Sequence, residues 1–179
     1  MGRMIFFAAL TAGLLAFGGG AASAAVVQGT PGADDLAGGN APDTLLGGPG
    51  KDSLDGRGGD DLLRGEEGDD TLIDLAGDDV LRGGLGDDTF GGNPGDDEVF
   101  GGSGNDLILD DSGVDHFSGG GGGGGDDVIA IPGFGPGPPG LPFESDAISC
   151  GPGDDRVVAH EADQVARDCE QVDLVESRH

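Results

Sequence analysis

The chain has no tryptophan or tyrosine, and only 8 lysines and arginines stand against 35 aspartates and glutamates. At a net charge of −27 it would repel a polyanion, so nucleic acid is not expected as a partner. Large apolar groups are few and like charges repel, so by composition alone the chain resembles a disordered one. Three histidines and no His-Glu-x-x-His leave no metalloprotease signature, and none of the serines lies in Gly-x-Ser-x-Gly. No Gly-Lys-Ser/Thr follows any glycine-rich stretch, which excludes a phosphate loop. Long apolar runs are missing beyond Met4–Phe17, and those ~14 residues are too short to span ~30 Å of hydrocarbon, so no transmembrane segment is expected. With Arg3 before that run and Ala22-Ser23-Ala24 after it, residues 1–24 read as a cleaved secretory signal peptide, and the protein is expected to be extracellular. There are two cysteines, Cys150 and Cys169; in an exported protein an even count suggests a disulfide, and two admit one intramolecular pairing.

What the chain does have is glycine, 41 residues of it, and a period. Aspartate recurs every nine residues at Asp34, Asp43, Asp52, Asp61, Asp70, Asp79, Asp88, Asp97, Asp106 and Asp115. Two residues after each comes an apolar side chain: Leu36, Leu45, Leu54, Leu63, Leu72, Leu81, Phe90, Val99, Ile108 and Phe117. A displaced copy supplies Asp127 and Ile129. A solvated disordered spacer would not maintain the apolar position. The first six residues of each nonapeptide must turn, and glycine permits that. The last three form a short strand with its middle residue pointing inward. Two repeats then make one coil, and coils stack ~4.8 Å apart through parallel ladders, giving an all-β, two-sheet solenoid.

Stacking gathers the aspartates into two columns, one from Asp34 through Asp52, Asp70 and Asp88 to Asp106, the other from Asp43 through Asp61, Asp79 and Asp97 to Asp115. Carboxylates ~5 Å apart repel unless a cation lies between them. Hard oxygen ligands on flexible turns suit Ca²⁺ better than Mg²⁺, and zinc would want cysteine or histidine. The aspartates immediately before the ligands, Asp60, Asp69, Asp78, Asp87 and Asp96, are expected to give carbonyls and surface charge. Several copies depart from the pattern: Asp74-Leu75-Ala76 and Asp110-Asp111-Ser112 replace turn glycines, Ala41-Pro42 and Glu66-Glu67 intrude, and weaker sites are expected there.

The repeat, clearest in Gly47-Gly48-Pro49-Gly50-Lys51-Asp52-Ser53-Leu54, resembles the RTX or hemolysin-type calcium-binding nonapeptide G-G-x-G-x-D-x-U-x, where U is large and apolar. The resemblance runs from residue 29 to 118, plus the copy at 122–130. It implies a right-handed parallel β-roll with multiple Ca²⁺ ions between neighbouring turns, held by the ten array aspartates and Asp127.

The chain thus divides into the leader at 1–24, the repeat β-roll at 25–118, a Gly/Pro-rich interruption with one further repeat at 119–143, and a C-terminal cap at 144–179. In the cap, Asp155 and Val157 keep the repeat register, 162–169 reads as a short helical turn and Gln171–Val175 as a terminal strand. A Cys150–Cys169 bond would staple it, worth ~3 kcal/mol in a chain-entropy picture. The function expected is that of a secreted, non-enzymatic calcium-binding repeat protein that folds on binding Ca²⁺. A cell-surface or matrix partner is compatible with it. The alternatives are an extracellular surface- or ice-binding adhesin module, or the repeat part of a secreted hydrolase system. The third repeat position, from Pro31 and Asn40 to Ser103 and Ser112, lacks the regular Thr or Asn column that ice binding would want.

Overall fold

A computed structural model describes residues 23–92, 94–110, 113–120, 125–131, 145–160 and 163–175. Most of the expected leader, the centre of the glycine run at 121–124 and the Gly/Pro loop at 132–144 lie outside the described residues. Within them there are strands and no helix. In chain order these are β1 (Val26–Gln28), β2 (Asp35–Ala37), β3 (Thr44–Pro49), β4 (Ser53–Asp55), β5 (Leu62–Glu67), β6 (Thr71–Ile73), β7 (Val80–Leu85) and β8 (Thr89–Gly91). Then follow β9 (Glu98–Ser103), β10 (Leu107–Leu109), β11 (His116–Gly120), β12 (Val128–Ala130), β13 (Ala147–Ser149), β14 (Arg156–His160), β15 (Gln164–Val165) and β16 (Gln171–Val175). Odd-numbered strands form one eight-stranded sheet and even-numbered strands the other, with every pairing parallel. The fold is therefore the expected all-β, two-sheet parallel solenoid, and the ten nonapeptides are β2–β11.

The core is one residue wide. Leu45, Leu63, Leu81, Val99, Phe117 and Ile148 stack from one sheet, and Leu54, Leu72, Phe90, Ile108, Ile129 and Val157 from the other, all buried. Leu36, the first of the expected core positions, is only partly buried because β2 is the outermost strand of its sheet. Parallel pairing aligns like with like, Leu54 on Leu72 and Leu72 on Phe90, so the period-nine apolar residue becomes a continuous stack.

The two sides of the coil differ, which the repeat alone did not indicate. Strands β3, β5, β7 and β9 run six residues, through positions 7–9 of one repeat and 1–3 of the next, whereas β4, β6, β8 and β10 stop after three. On the long side, position 2 takes a left-handed backbone at Gly48, Gly84 and Gly102. Glu66 occupies that position in β5 and takes φ 82° all the same, a conformation costing a non-glycine residue ~1 kcal/mol or more. The turn glycine at position 4 has less choice. Gly68 has φ 128°, and a Cβ there would be driven into the Gly50 carbonyl one coil below.

Residues 145–175, expected as a cap, end the stack by extending both sheets with β13–β16. The register survives long excursions, since His116 pairs with Ala147 and Val128 with Arg156. The helical turn expected at 162–169 is not found. Its described part is β15 followed by a turn at Arg167–Asp168, because Val165 pairs beside Ile148 and packs on the core. Eight residues are in any case too few to offset helix nucleation. The terminal strand at Gln171–Val175 is present as β16. Cys150, fully buried after β13, is bonded to Cys169, with Cα atoms 5.2 Å apart, so the bridge ties the last coil to the one before it.

Candidate metal centre

Each repeat aspartate stands just before a strand, where the turn hands the chain to the sheet. Parallel stacking at that point places like residues one above another, and a carboxylate then meets the backbone of the coil below. The Asp34 N–H donates to Asp52 Oδ1, Asp52 N–H to Asp70 Oδ1, Asp70 to Asp88, and Asp88 to Asp106. The other edge repeats the pattern from Asp43 to Asp61, Asp79, Asp97 and Asp115. These bonds measure 2.6–2.9 Å, a charge-assisted ladder that sets the register of the coils.

The second oxygen of each carboxylate is a different matter. Oδ2 of Asp52, Asp61, Asp70, Asp88, Asp106 and Asp127 is buried with no hydrogen-bond partner. For Asp52, Asp88, Asp106 and Asp127 it faces a glycine at the start of the turn, Gly47, Gly83, Gly101 and Gly119, where the backbone carbonyl of the next coil also converges. A methyl group built on Gly47 would meet Asp52 Oδ2 and the Gly65 carbonyl oxygen, and one on Gly83 would meet Asp88 Oδ2 and the Gly101 carbonyl oxygen. Two hard acceptors thus point into one small space from which a side chain is excluded, without a donor between them. Leaving a buried acceptor unsatisfied costs ~1–3 kcal/mol, and more for a charged one. The donor set, carboxylate and carbonyl oxygen alone, fits Ca²⁺ and offers nothing that zinc prefers.

The electrostatics point the same way. Burial, and then the neighbouring carboxylates of the column, push Asp61 and Asp127 up to about 6. The same causes push Asp88, Asp97 and Asp106 up to about 7. Asp52, Asp70, Asp79 and Asp115 are raised as well, burial again the largest cause.

All eleven aspartates expected as ligands stand in the two columns, Asp34, Asp52, Asp70, Asp88, Asp106 and Asp127 on one edge and the other five opposite. All are buried except Asp34, which is half-buried in the outermost coil. The columns continue past the array, through Asp127 and Asp155, which the sequence already kept in register, and through Asp146 and Asp163, which sequence reasoning missed. Asp106 N–H donates to Asp127 and Asp127 N–H to Asp155; Asp115 N–H donates to Asp146 and Asp146 N–H to Asp163. The signal was there in Asp146-Ala147-Ile148 and Asp163-Gln164-Val165, the same Asp-x-apolar triplet without its glycines.

It also took Asp74 and Asp110 as defects. The structure buries both, at 1% and 3% exposure, beside the columns. Oxygens of Asp61, Asp74 and Asp79 lie within 4.8 Å of one another, as do those of Asp97, Asp110 and Asp115. The preceding aspartates take the surface role expected of them. They are exposed, and their side chains form a second ladder of opposite direction, in which Asp78 N–H donates to Asp60 Oδ1, Asp87 N–H to Asp69 and Asp96 N–H to Asp78.

Comparison with protein families finds the RTX calcium-binding nonapeptide repeat in four overlapping copies, at residues 28–63, 55–90, 64–99 and 91–129. Comparison with curated proteins finds no match.

Proposed function

From the premise that the chain belongs to the RTX calcium-binding nonapeptide repeat family, matched across residues 28–129, we propose that it is a secreted, non-enzymatic protein whose solenoid forms on binding Ca²⁺ between its coils. The single observation that carries this reading is the column of buried Oδ2 atoms without a hydrogen-bond donor, on Asp52, Asp70, Asp88, Asp106 and Asp127, with Asp61 Oδ2 in the same state on the opposite edge. Asp34, Asp52, Asp70, Asp88, Asp106 and Asp127 would hold ions along one edge, and Asp43, Asp61, Asp79, Asp97 and Asp115 along the other. The position-1 carbonyls would complete each oxygen set. Bound Ca²⁺ supplies the positive charge that lets neighbouring carboxylates stay ionised in a buried place.

Folding has to be coupled to that charge. One inward apolar residue per nine buries too little apolar surface to offset the ordering of the whole nonapeptide. The remainder falls to hydrogen bonding and to the metal, whose binding free energy becomes folding free energy. Secretion is supported by the leader-like residues 1–24 and by the disulfide, which suggests an oxidising compartment. The non-enzymatic role is supported by the lack of any catalytic motif among the serines and histidines of the sequence.

The test is a far-UV circular dichroism titration at pH 7.5. Chelated protein is expected to give a disordered spectrum and added Ca²⁺ a β-rich one, in a cooperative transition that Mg²⁺ at equal concentration does not reproduce. An unchanged β spectrum in excess chelator would refute the reading.

A further inference from the structure

Position 1 of the nonapeptide is glycine in eight of the ten array copies and aspartate in two, Asp74 and Asp110. Asp74 begins the turn after β6, on the side of the coil where the strand stops short. Its Oδ1 accepts the Leu75 N–H at 2.6 Å and the Ala76 N–H at 3.4 Å, which holds the carboxylate in one orientation. In that orientation its oxygen comes within 4.8 Å of one on Asp61 and one on Asp79, successive members of the same column. All three residues are at least 97% buried.

A second observation points to a ligand. Asp61 Oδ2 is buried with no hydrogen-bond partner. It is aimed at the place that Asp74 Oδ2 also faces, since a side chain built on Gly56 would strike both atoms. The glycine one coil below is therefore what admits the extra carboxylate. The opposite column has no counterpart, because its position-1 residues are Gly47, Gly65, Gly83 and Gly101.

We propose that Asp74 converts the place between Asp61 and Asp79 into a three-carboxylate cation site, filled at lower Ca²⁺ concentration than the two-carboxylate places elsewhere. The inference rests on the calcium reading above and adds a residue and an order of filling to it. Three carboxylates carry more charge than two, and ligand charge count is one of the variables that tune Ca²⁺ affinity over orders of magnitude. Because each ion joins neighbouring coils, a site filled this early, like its counterpart at Asp97, Asp110 and Asp115, is also where the solenoid nucleates, inside the array instead of at an end.

The experiment is calorimetric titration of the chelator-stripped full chain with Ca²⁺ at pH 7.5, comparing wild type with Asp74→Asn, Asp74→Gly and Asp78→Asn. Asparagine keeps the local turn and removes the charge. Glycine restores the residue found at most position-1 sites. Asp78→Asn removes the same charge from an exposed neighbour. The wild type is expected to show a tight class of ions ahead of the main transition. Both Asp74 variants should weaken one ion of that class by about tenfold or more, and Asp78→Asn should leave it in place. A β-rich spectrum at saturating Ca²⁺ will show that each variant still folds. The proposal is overturned if Asp74→Asn retains the tight ion, which would make Asp74 a turn former only. It is equally overturned if Asp78→Asn weakens binding as much, which would make the effect one of overall charge. A wild type that binds no Ca²⁺ would instead bring down the calcium reading itself, a result distinct from either.

Discussion

At the scale of the residue, a column aspartate does two jobs with its two oxygens. At Asp52, Asp70, Asp88 and Asp106, Oδ1 accepts an N–H from the coil below and so holds register, while Oδ2 is buried without a donor, which is the place the proposed cation would fill. Protons can do part of the cation's work. In the metal-free fold Asp88, Asp97 and Asp106 are raised to about 7, against ~3.9 for an unfolded aspartate. The folded chain therefore binds more protons than the unfolded one between those values, and its stability falls as pH rises. The penalty is absent below about pH 4 and fully present above the raised values. Chelated protein is thus expected to gain β structure as pH is lowered from 8 to 5, followed by circular dichroism at low protein concentration. A chelated spectrum that stays disordered down to pH 5 would mean that column charge is not what opposes the metal-free fold.

At the scale of the element, the turn is more demanding than the strand. A strand of three residues needs only its apolar centre, which tolerates Leu, Ile, Val or Phe across the array. The turn packs backbone on backbone from one coil to the next. Gly68 illustrates it, with φ 128° and no room for a Cβ above the Gly50 carbonyl, whereas Gly58 in a comparable turn has only the Ala76 carbonyl oxygen at 3.5 Å from a built Cβ. Gly68→Ala is expected to destabilise the Ca²⁺-saturated protein by more than about 2 kcal/mol, since both backbone strain and a collision are imposed. Gly58→Ala should fall within about 0.5 kcal/mol of wild type or be slightly stabilising. Urea midpoints at saturating Ca²⁺ decide it, and similar midpoints for the two variants would mean that the stacked turns are looser than described.

At the scale of the whole molecule, a solenoid has ends. Among the described residues, strands β1 and β2 lie at one and β15 and β16 at the other, each with an edge that pairs with no further strand. β16 is exposed along its length, Val172, Leu174 and Val175 included, so the last coil buries little and depends on its pairing with β14 and on the Cys150–Cys169 bridge. Closing that loop is worth ~3 kcal/mol in the chain-entropy picture. Reduction in the presence of Ca²⁺ is expected to accelerate hydrogen exchange across 163–175 first and to leave 44–109 protected. If exchange quickens uniformly, or nowhere, the bridge is not what holds the terminal coil.

The sequence by itself determined the repeat, its period, the identity of the inward residue and the two columns of aspartates. It could do so because parallel stacking at constant period converts equal spacing along the chain into adjacency in space, with nothing else to compute. Leu54, Leu72 and Phe90, or Asp52, Asp70 and Asp88, are neighbours for that reason alone. Where the period breaks, the sequence stops being readable. That Asp115 donates to Asp146 across thirty-one residues, or that Asp163 and Val165 form a strand position instead of a helical turn, depends on an existing edge offering ladder bonds and core surface. Departures from the pattern are undecided for the same reason. As letters, Asp74 and Asp110 are missing glycines. Only the packed coil, with a glycine beneath each to admit the carboxylate, places them against the columns they were expected to weaken.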